Sequence, residues 1–302
     1  MKAKNILFLG AGKRVSMASI FTNNNFEVYS YEVEKNVPIS NVAKIIIGKK
    51  WSDKNILQDI LINCADKHID LIVPFQDAAI ELCEPLSKYF NVLGSTKKVA
   101  DICHNKKEFE KYVLANFPNI YPSINDQTKQ FIYKPIFGFG SRGITRSEKL
   151  NEDDTHKVVQ KFIEGVEYSV DCYSNKNGVF IDGVSRIRLE VCCGEVSKSE
   201  TVYDPELLNI CENICNDLKI IGPSNFQFIK ENITNKIYII EINCRFGGGA
   251  TFSYKSGLDY INLINNDFFD QPLTYIKNSW KKNMVLNRYY QDFIYEKQNN
   301  NN

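Results

Sequence analysis

Histidine is scarce in this 302-residue chain, which has three, at positions 68, 104 and 156. None stands at a metal-site spacing from a cysteine, and none of the nine cysteines falls in a C-x-x-C pattern. Zinc sites and dithiol redox motifs need such spacings, so neither is expected. Cys192 and Cys193 are adjacent and Cys211 lies four residues before Cys215, but the set as a whole is scattered. It reads as buried thiols in a reducing cytoplasm. An excess of one charge is also missing: 37 Lys and Arg against 36 Asp and Glu leave a net +1. That gives no electrostatic case for a nucleic-acid or membrane partner. Lys97-Lys98 and Lys281-Lys282 read as solvated faces. Polar residues interrupt Ile45-Ile46-Ile47 and Leu71-Ile72-Val73 within a few positions, so no bilayer span is expected. The first residues read as a strand, so no secretory leader is expected either. There is no internal repeat.

What is present is an ordinary globular composition, 43% hydrophobic and 24% charged, long enough for one to three domains. Over 1–95, short apolar strands (5–10, 27–33, 45–47, 69–74, 91–94) alternate with helical patterns (14–22, 55–65, 78–89). That alternation predicts a parallel sheet with crossover helices. A charged helix is expected over 101–116, then a loop and a strand at 131–135. From 167 onward the chain is strand-rich (167–173, 178–189, 226–230, 236–243), with a helix at 206–218 and another beyond 258. The segment 284–295 is aromatic, with strand character at 287–289, and the polar tail 298–302 reads as disordered.

Two stretches carry chemistry. In Glu241-Ile242-Asn243-Cys244-Arg245 a carboxylate, an amide and a guanidinium leave a strand at alternate positions, and such positions share a face. Glu241 and Asn243 offer hard oxygen ligands suited to Mg²⁺, and Arg245 offers a fork for phosphate oxygens. Gly247-Gly248-Gly249 follow, where backbone could approach a ligand closely. Lys134 sits in the apolar strand 131–135, and a buried lysine without a partner is costly. At about 4 Å and an effective dielectric of about 20, a lysine–phosphate contact is worth about 4 kcal/mol of gross attraction before desolvation. The strand runs into Gly138-Phe139-Gly140-Ser141-Arg142-Gly143, whose backbone amides could cradle phosphates. Arg186 and Arg188 alternate on a strand, a pairing that suits a carboxylate or an acyl phosphate, with Arg188 favoured over a plain sheet-surface ion pair.

Gly10-Ala11-Gly12 after the first strand is half a dinucleotide fingerprint, and Glu32 or Glu34 ends the second strand where a ribose-binding acid would. Val15 stands in place of the third glycine, so a tight βα turn without nicotinamide is the expectation.

The lysine strand, the Gly-Ser-Arg-Gly loop and the Glu-x-Asn-x-Arg strand, in this order, resemble the ATP-grasp superfamily. The chain is similar in particular to stand-alone proteins of the split carbamoyl-phosphate-synthase large-subunit type. The resemblance implies an α/β architecture in which two α+β lobes clamp ATP behind a Rossmann-like parallel-sheet domain. The expected boundaries are 1–95 for the Rossmann-like domain, 96–164 for the small lobe and 165–302 for the C-terminal lobe. ATP and Mg²⁺ are the implied cofactors, with Mn²⁺ as a substitute.

Residue by residue, the resemblance implies that Lys106 and Lys134 hold phosphates, with Ser141, Arg142 and Gly143 closing over them. Asn105 stands where the family usually has Asp. Backbone around Lys161, Phe162 and Ile163 would meet adenine, and Glu167 the ribose hydroxyls. Glu241 and Asn243 would bind the metal, joined by Gln227, which a hairpin at 230–236 should place beside Glu241 and which replaces the usual acid. Arg245 and Arg188 would stabilise an acyl phosphate. Residues 11–15 and 73–77 fit a fold role and a wall of the acceptor site equally. The implied activity is ATP-dependent ligation of a small carboxylic acid to an amine or thiol. Phosphoryl transfer to carbamate or another small acid without ligation, or a non-catalytic nucleotide-binding module, are the alternatives. A cytoplasmic protein and, from base rates, a homodimer are expected.

Overall fold

The computed structural model describes residues 3–138, 142–151, 155–192, 194–289 and 291–296, without the side chain of Glu195. The polar tail at 298–302 and the loop residues 139–141, including Ser141, lie outside the described residues. The chain divides into two compact units, one formed by the stretch to Val92 with the residues from Arg288, the other by Leu93–Asn287.

In the first unit, β1 (Lys4–Leu9), α1 (Val15–Thr22), β2 (Phe26–Glu32), β3 (Lys44–Ile47), α2 (Ile56–Asp66) and β4 (Leu71–Pro74) follow in order. The strands form a parallel sheet in the order β3-β2-β1-β4. Ile6 to Leu9 are all fully buried, because crossover helices cover both faces of such a sheet. Leu7 and Leu9 point into a core with Tyr31, Ile60 and Ile72. On the opposite face Phe8 meets the ring of Phe21 edge-on at 5.1 Å.

The helix expected at 78–89 is instead two short ones, α3 (Asp77–Ile80) and α4 (Cys83–Ser87). Pro85 explains the break: it lacks the N–H that a continuous helix would donate to residue 81, and it is tolerated in a first turn. The strand expected at 91–94 reduces to one parallel bridge, between Ile72 and Val92.

The second unit opens with α5 (Lys97–His104) and α6 (Lys106–Asn116) where one helix was expected. Asn105 turns out of helical geometry (φ −92°, ψ 108°), and its side-chain oxygen accepts the amides of Lys107 and Glu108 at 2.9 and 3.4 Å. It is an N-cap, a role that Asn and Asp share. Next comes a three-stranded antiparallel sheet, in which β5 (Phe131–Pro135) lies between β6 (Thr145–Ser147) and β7 (Lys157–Lys161).

A second antiparallel sheet follows, built from β8 (Gly165–Ser174), β9 (Phe180–Cys192), β10 (Glu195–Thr201), β11 (Gly222–Glu231), β12 (Ile237–Asn243) and β13 (Val285–Asn287). Its order is β12-β11-β8-β9-β10-β13. The helix α7 (Pro205–Leu218) packs on β8 and β9, and α8 (Ala250–Ser256) and α9 (Tyr260–Phe269) follow β12. Among the described residues, no helix is long and apolar enough to cross a membrane.

A fully buried ion pair fastens this sheet. Asp171 of β8 accepts from Arg186 Nε and Nη2 of β9 at 3.0 and 2.7 Å. Asn225 of β11 and Ser253 of α8 also donate to that carboxylate, at 2.7 and 2.5 Å. Arg186 Nη1 donates to Ser199 of β10 at 3.2 Å. Each partner is 1% exposed, so Arg186 is unavailable to a ligand, contrary to the expectation of two arginines on one ligand-binding face.

Two of the three glycines serve the same pair, not a ligand. A Cβ on Gly249 would stand 2.2 Å from Arg186 Nη2, and one on Gly247 would stand 2.8 Å from Asp171 Oδ1.

Asp171→Ala leaves Arg186 buried without its counter-charge and is expected to cost about 3–5 kcal/mol. Ser253→Ala, which removes one donor only, should cost about 1 kcal/mol. Urea midpoints of the two variants measure the difference; an unchanged midpoint for Asp171→Ala would mean that Arg186 finds another partner.

Candidate active site

The hairpin joining β11 and β12 sets the register of the site. Gln227 lies directly opposite Glu241, as the sequence predicts, and a bulge between Gln227 and Phe228 skips Ile240, so that the pairing from Gln227 back to Asn225 is shifted by one residue from that nearer the turn. Bulges re-aim side chains, and here Glu241 emerges beside Gln227 while Ile239 and Ile242 stay buried.

From Glu241 a chain of polar contacts runs in both directions. Gln227 Nε2 donates to Glu241 Oε1 at 2.6 Å, and Asn243 Nδ2 donates to the same oxygen at 2.9 Å. Arg245 Nη2 donates to Asn243 Oδ1 at 3.3 Å. On the other side Arg188 Nη1 donates to Gln227 Oε1 at 2.6 Å and lies 3.3 Å from a carboxylate oxygen of Glu167. Six candidate residues from four strands and the turn after β12 therefore form one connected network. Arg188 also donates to the Gly194 carbonyl at 3.2 Å, and its buried Nε has no hydrogen-bond partner among the described residues.

Lys134 faces this network. It is 7% exposed, and burial pushes its ammonium down to about 8. Glu241 and Glu167 pull the other way, and Lys106 adds repulsion. Two lysines and two carboxylates are thus within electrostatic reach of one another. Lys106 opens α6; its amide donates to the Ile136 carbonyl at 3.1 Å and its Nζ to the Gly138 carbonyl at 3.3 Å. It thereby tethers the start of the glycine-rich loop. Gly143 has φ +74°, and a Cβ there would stand 2.9 Å from Pro135 Cγ, so this end of the loop needs glycine. Arg142 is exposed beside it.

The 161–163 stretch ends the neighbouring strand of the lysine sheet, with Lys161 opposite Phe131. Its first two amides are engaged: Lys161 N donates to Pro122 O at 3.0 Å and Phe162 N to Gln130 O at 2.9 Å. Ile163 is buried, Lys161 Nζ lies 3.1 Å from Glu231, and the Arg146 guanidinium covers the Phe162 ring at 3.7 Å. Arg146 had no signal in the sequence, because it sits in a three-residue polar strand with no periodicity.

Of the three expected metal ligands, Glu241, Asn243 and Gln227, one is a carboxylate. Among the described residues, no group of three or more His, Cys, Asp or Glu side chains is placed to hold an ion. The donor set still suits Mg²⁺, which uses one or two protein carboxylates and takes its remaining ligands from phosphate oxygens and water. Glu241 supplies the carboxylate, and Asn243 can turn its oxygen inward. Gln227 is held differently: with Arg188 donating to its oxygen, its N–H is what faces Glu241.

In the first unit, the turn that resembles a dinucleotide fingerprint is filled from within. Gly12 N donates to Glu32 Oε1 at 2.8 Å, and Ser30 Oγ donates to the same oxygen at 2.6 Å. Glu32 faces the βα turn rather than a ribose, and a diphosphate bound there would have to displace it.

Because burial depresses Lys134, its charge costs stability at pH 7. Stability should therefore rise as pH increases from about 8 toward the unfolded lysine value of about 10.4, at up to about 1.4 kcal/mol per unit. Lys134→Met should raise the pH 7 melting temperature and remove this contribution from the pH profile, which thermal melts in matched buffers will show.

Comparison with known proteins fits this geometry. The model of the ATP-grasp domain family matches residues 92–249, more than half of the chain. The carbamoyl phosphate synthase large chain of Clostridium acetobutylicum is 21% identical over 77% of this chain and 24% of its own length. The present chain thus spans about a quarter of that relative. The biotin carboxylase domain of Hydrogenobacter thermophilus 2-oxoglutarate carboxylase, solved with MgADP, ADP and bicarbonate, superposes with a TM-score of 0.69 at 16% identity, covering 94% of this chain and 74% of that one. L-amino acid ligase from Bacillus licheniformis gives 0.66 at 14% identity, covering 92% and 76%. At such identities the structural likeness establishes the fold, and with the matched family model it shows that this chain belongs to the ATP-grasp family.

Proposed function

We propose that the chain is an ATP- and Mg²⁺-dependent enzyme that joins a small carboxylic acid to an amine or thiol, releasing ADP and phosphate. The observation that carries this reading is the network from Glu167 to Arg245 with Lys134 set against it. Its fixed cations, carboxylate and amides are the groups that a triphosphate, a metal and an incoming acid would require together, which supports the reading. Preorganised charge of this kind stabilises a phosphoryl-transfer transition state without reorganisation. The reading is supported by two solved structures of this fold, one holding MgADP and bicarbonate and one of an L-amino acid ligase.

In this reading residues 96–164 form the small lobe and 165–302 the larger one, behind a Rossmann-like domain at 1–95. Lys134 and Lys106 hold phosphate oxygens, and an anion restores to Lys134 the counter-charge that burial denies it. Ser141, Arg142 and Gly143 contribute from the loop. Backbone at Lys161 to Ile163 borders the adenine, and Glu167 meets the ribose. Glu241 and Asn243 hold Mg²⁺, for which Mn²⁺ can substitute; Gln227 joins them only if Arg188 releases its oxygen. When bound, the ion neutralises phosphate charge as a Lewis acid.

Arg188 orients the acid, and its buried Nε, which has no acceptor among the described residues, can donate to it. A carboxylate oxygen of the acid attacks the γ-phosphorus, and the bond to ADP breaks. The neutral amine then attacks the acyl carbon of the resulting acyl phosphate, the bond from that carbon to the phosphate oxygen breaks, and the leaving phosphate takes the proton given up by the nitrogen. Arg245 and Arg188 balance the charge on the transferring group. Excluding water protects the acyl phosphate from hydrolysis.

The test is Mg²⁺-dependent phosphate release from ATP across pooled acids, each with and without an amine pool. Release requiring both pools is expected, and Lys134→Ala or Glu241→Ala should lower it by about 100-fold or more. Ammonia-dependent carbamoyl phosphate formation would replace ligation with carbamate phosphorylation. Tight ATP binding with no release in any pool would favour a non-catalytic module. Intact turnover in both variants would overturn the assignment of the site.

A further inference from the structure

Two thiols far apart in sequence meet at the edge of the candidate site. Cys103 lies in the last turn of α5 and Cys244 one residue beyond β12, and their sulfurs are 3.0 Å apart. That is about 1 Å longer than a disulfide bond of about 2.05 Å. The elements carrying them pack on each other.

The pair differs from the chain's other buried thiols. Cys64, Cys172, Cys211 and Cys215 are wholly buried and Cys83 nearly so, Cys192 is exposed, and Cys103 is half-buried directly beside the buried Cys244. One thiol is therefore accessible to a small oxidant, and a second is poised behind it, the arrangement that favours reversible oxidation.

The positions matter as much as the contact. Cys244 sits between Asn243 and Arg245, and Cys103 is three residues before Lys106. A bond between them would tie the helix leading to Lys106 directly to the strand end that carries Asn243 and Arg245.

We propose that Cys103 and Cys244 form a reversible disulfide that switches off nucleotide use at this site. The oxidant is a hydroperoxide. The Cys103 sulfur attacks one peroxide oxygen, the O–O bond breaks, and the other oxygen leaves as water or alcohol, giving a sulfenic acid. Cys244 then attacks the Cys103 sulfur, the S–O bond breaks, and the oxygen leaves as water with the proton given up by Cys244. Two thiols are oxidised by two electrons and one peroxide is reduced. A dithiol reductant reverses the step by exchange.

Drawing the sulfurs together by about 1 Å moves the backbone between Asn243 and Arg245 toward α5. Displacements of that size at a catalytic constellation cost on the order of 100-fold. The inhibitory consequence rests on the function proposed above, whereas the disulfide does not.

Two readouts keep these separate. The full-length protein is treated with hydrogen peroxide, digested without reduction and analysed by mass spectrometry, and MgATP affinity and ATP turnover are measured in parallel. A peptide joined through Cys103 and Cys244, at least tenfold loss of nucleotide affinity or turnover, recovery with dithiothreitol, and no response in Cys103→Ser or Cys103→Ala are expected. Absence of the joined peptide overturns the proposal. A joined peptide with unchanged nucleotide affinity and turnover overturns the switch. Reduced protein that neither binds nor turns over ATP refutes the functional reading, while the joined peptide still decides whether the disulfide forms.

Discussion

The Asp171–Arg186 pair is the constraint around which the larger sheet is arranged. It joins β8 to β9, and its outer contacts reach β10 through Ser199, β11 through Asn225 and α8 through Ser253. Two charges so deep in a sheet are tolerated because every strong acceptor position on the carboxylate is answered. The glycine run follows from that need. Gly247 and Gly249 let the chain leaving β12 pass against the pair, so the segment carrying Glu241, Asn243 and Arg245 is held at a fixed height above it.

Above this base lies a more open polar layer. It has fewer charges than its residue list implies, because Gln227 is neutral and passes polarity from Arg188 to Glu241. Asp171 is fully enclosed, whereas Glu167 is half exposed and Arg245 only half-buried. Buried charge has been completed by the protein in one layer and left for a ligand to complete in the other. Lys134 marks the border between them: it is buried as deeply as a core residue, yet the carboxylates it senses are already shared with other donors.

Much of this was legible in the sequence, for particular reasons. A two-strand hairpin has few registers, so antiparallel pairing brought Gln227 near Glu241, and the bulge that skips Ile240 set the two directly opposite. A lysine inside an aliphatic strand is conspicuous, and Lys134 is where that strand predicts. The parallel sheet of the first unit follows from strands buried on both faces. What was not legible depended on partners distant in sequence. Arg186 and Arg188 are equivalent by alternation, and only Asp171, fifteen residues earlier, makes one structural. The glycines after β12 read as a ligand approach because nothing local announces the pair beneath them. The break at Asn105 hides in a polar run that could continue as helix, and β10 has one buried aliphatic, Val196, too little for a periodic signal.

The carboxylate of Glu32 receives the turn amide that, in nucleotide-binding relatives of this βα geometry, a phosphate would receive. The chain thus carries its own surrogate ligand, and the turn is complete without anything from solution. Seen as evolutionary history, a sealed turn of this kind is an anion site in reserve. The backbone geometry is kept intact by a side chain that one substitution could withdraw, so new binding could arise there without any change of fold.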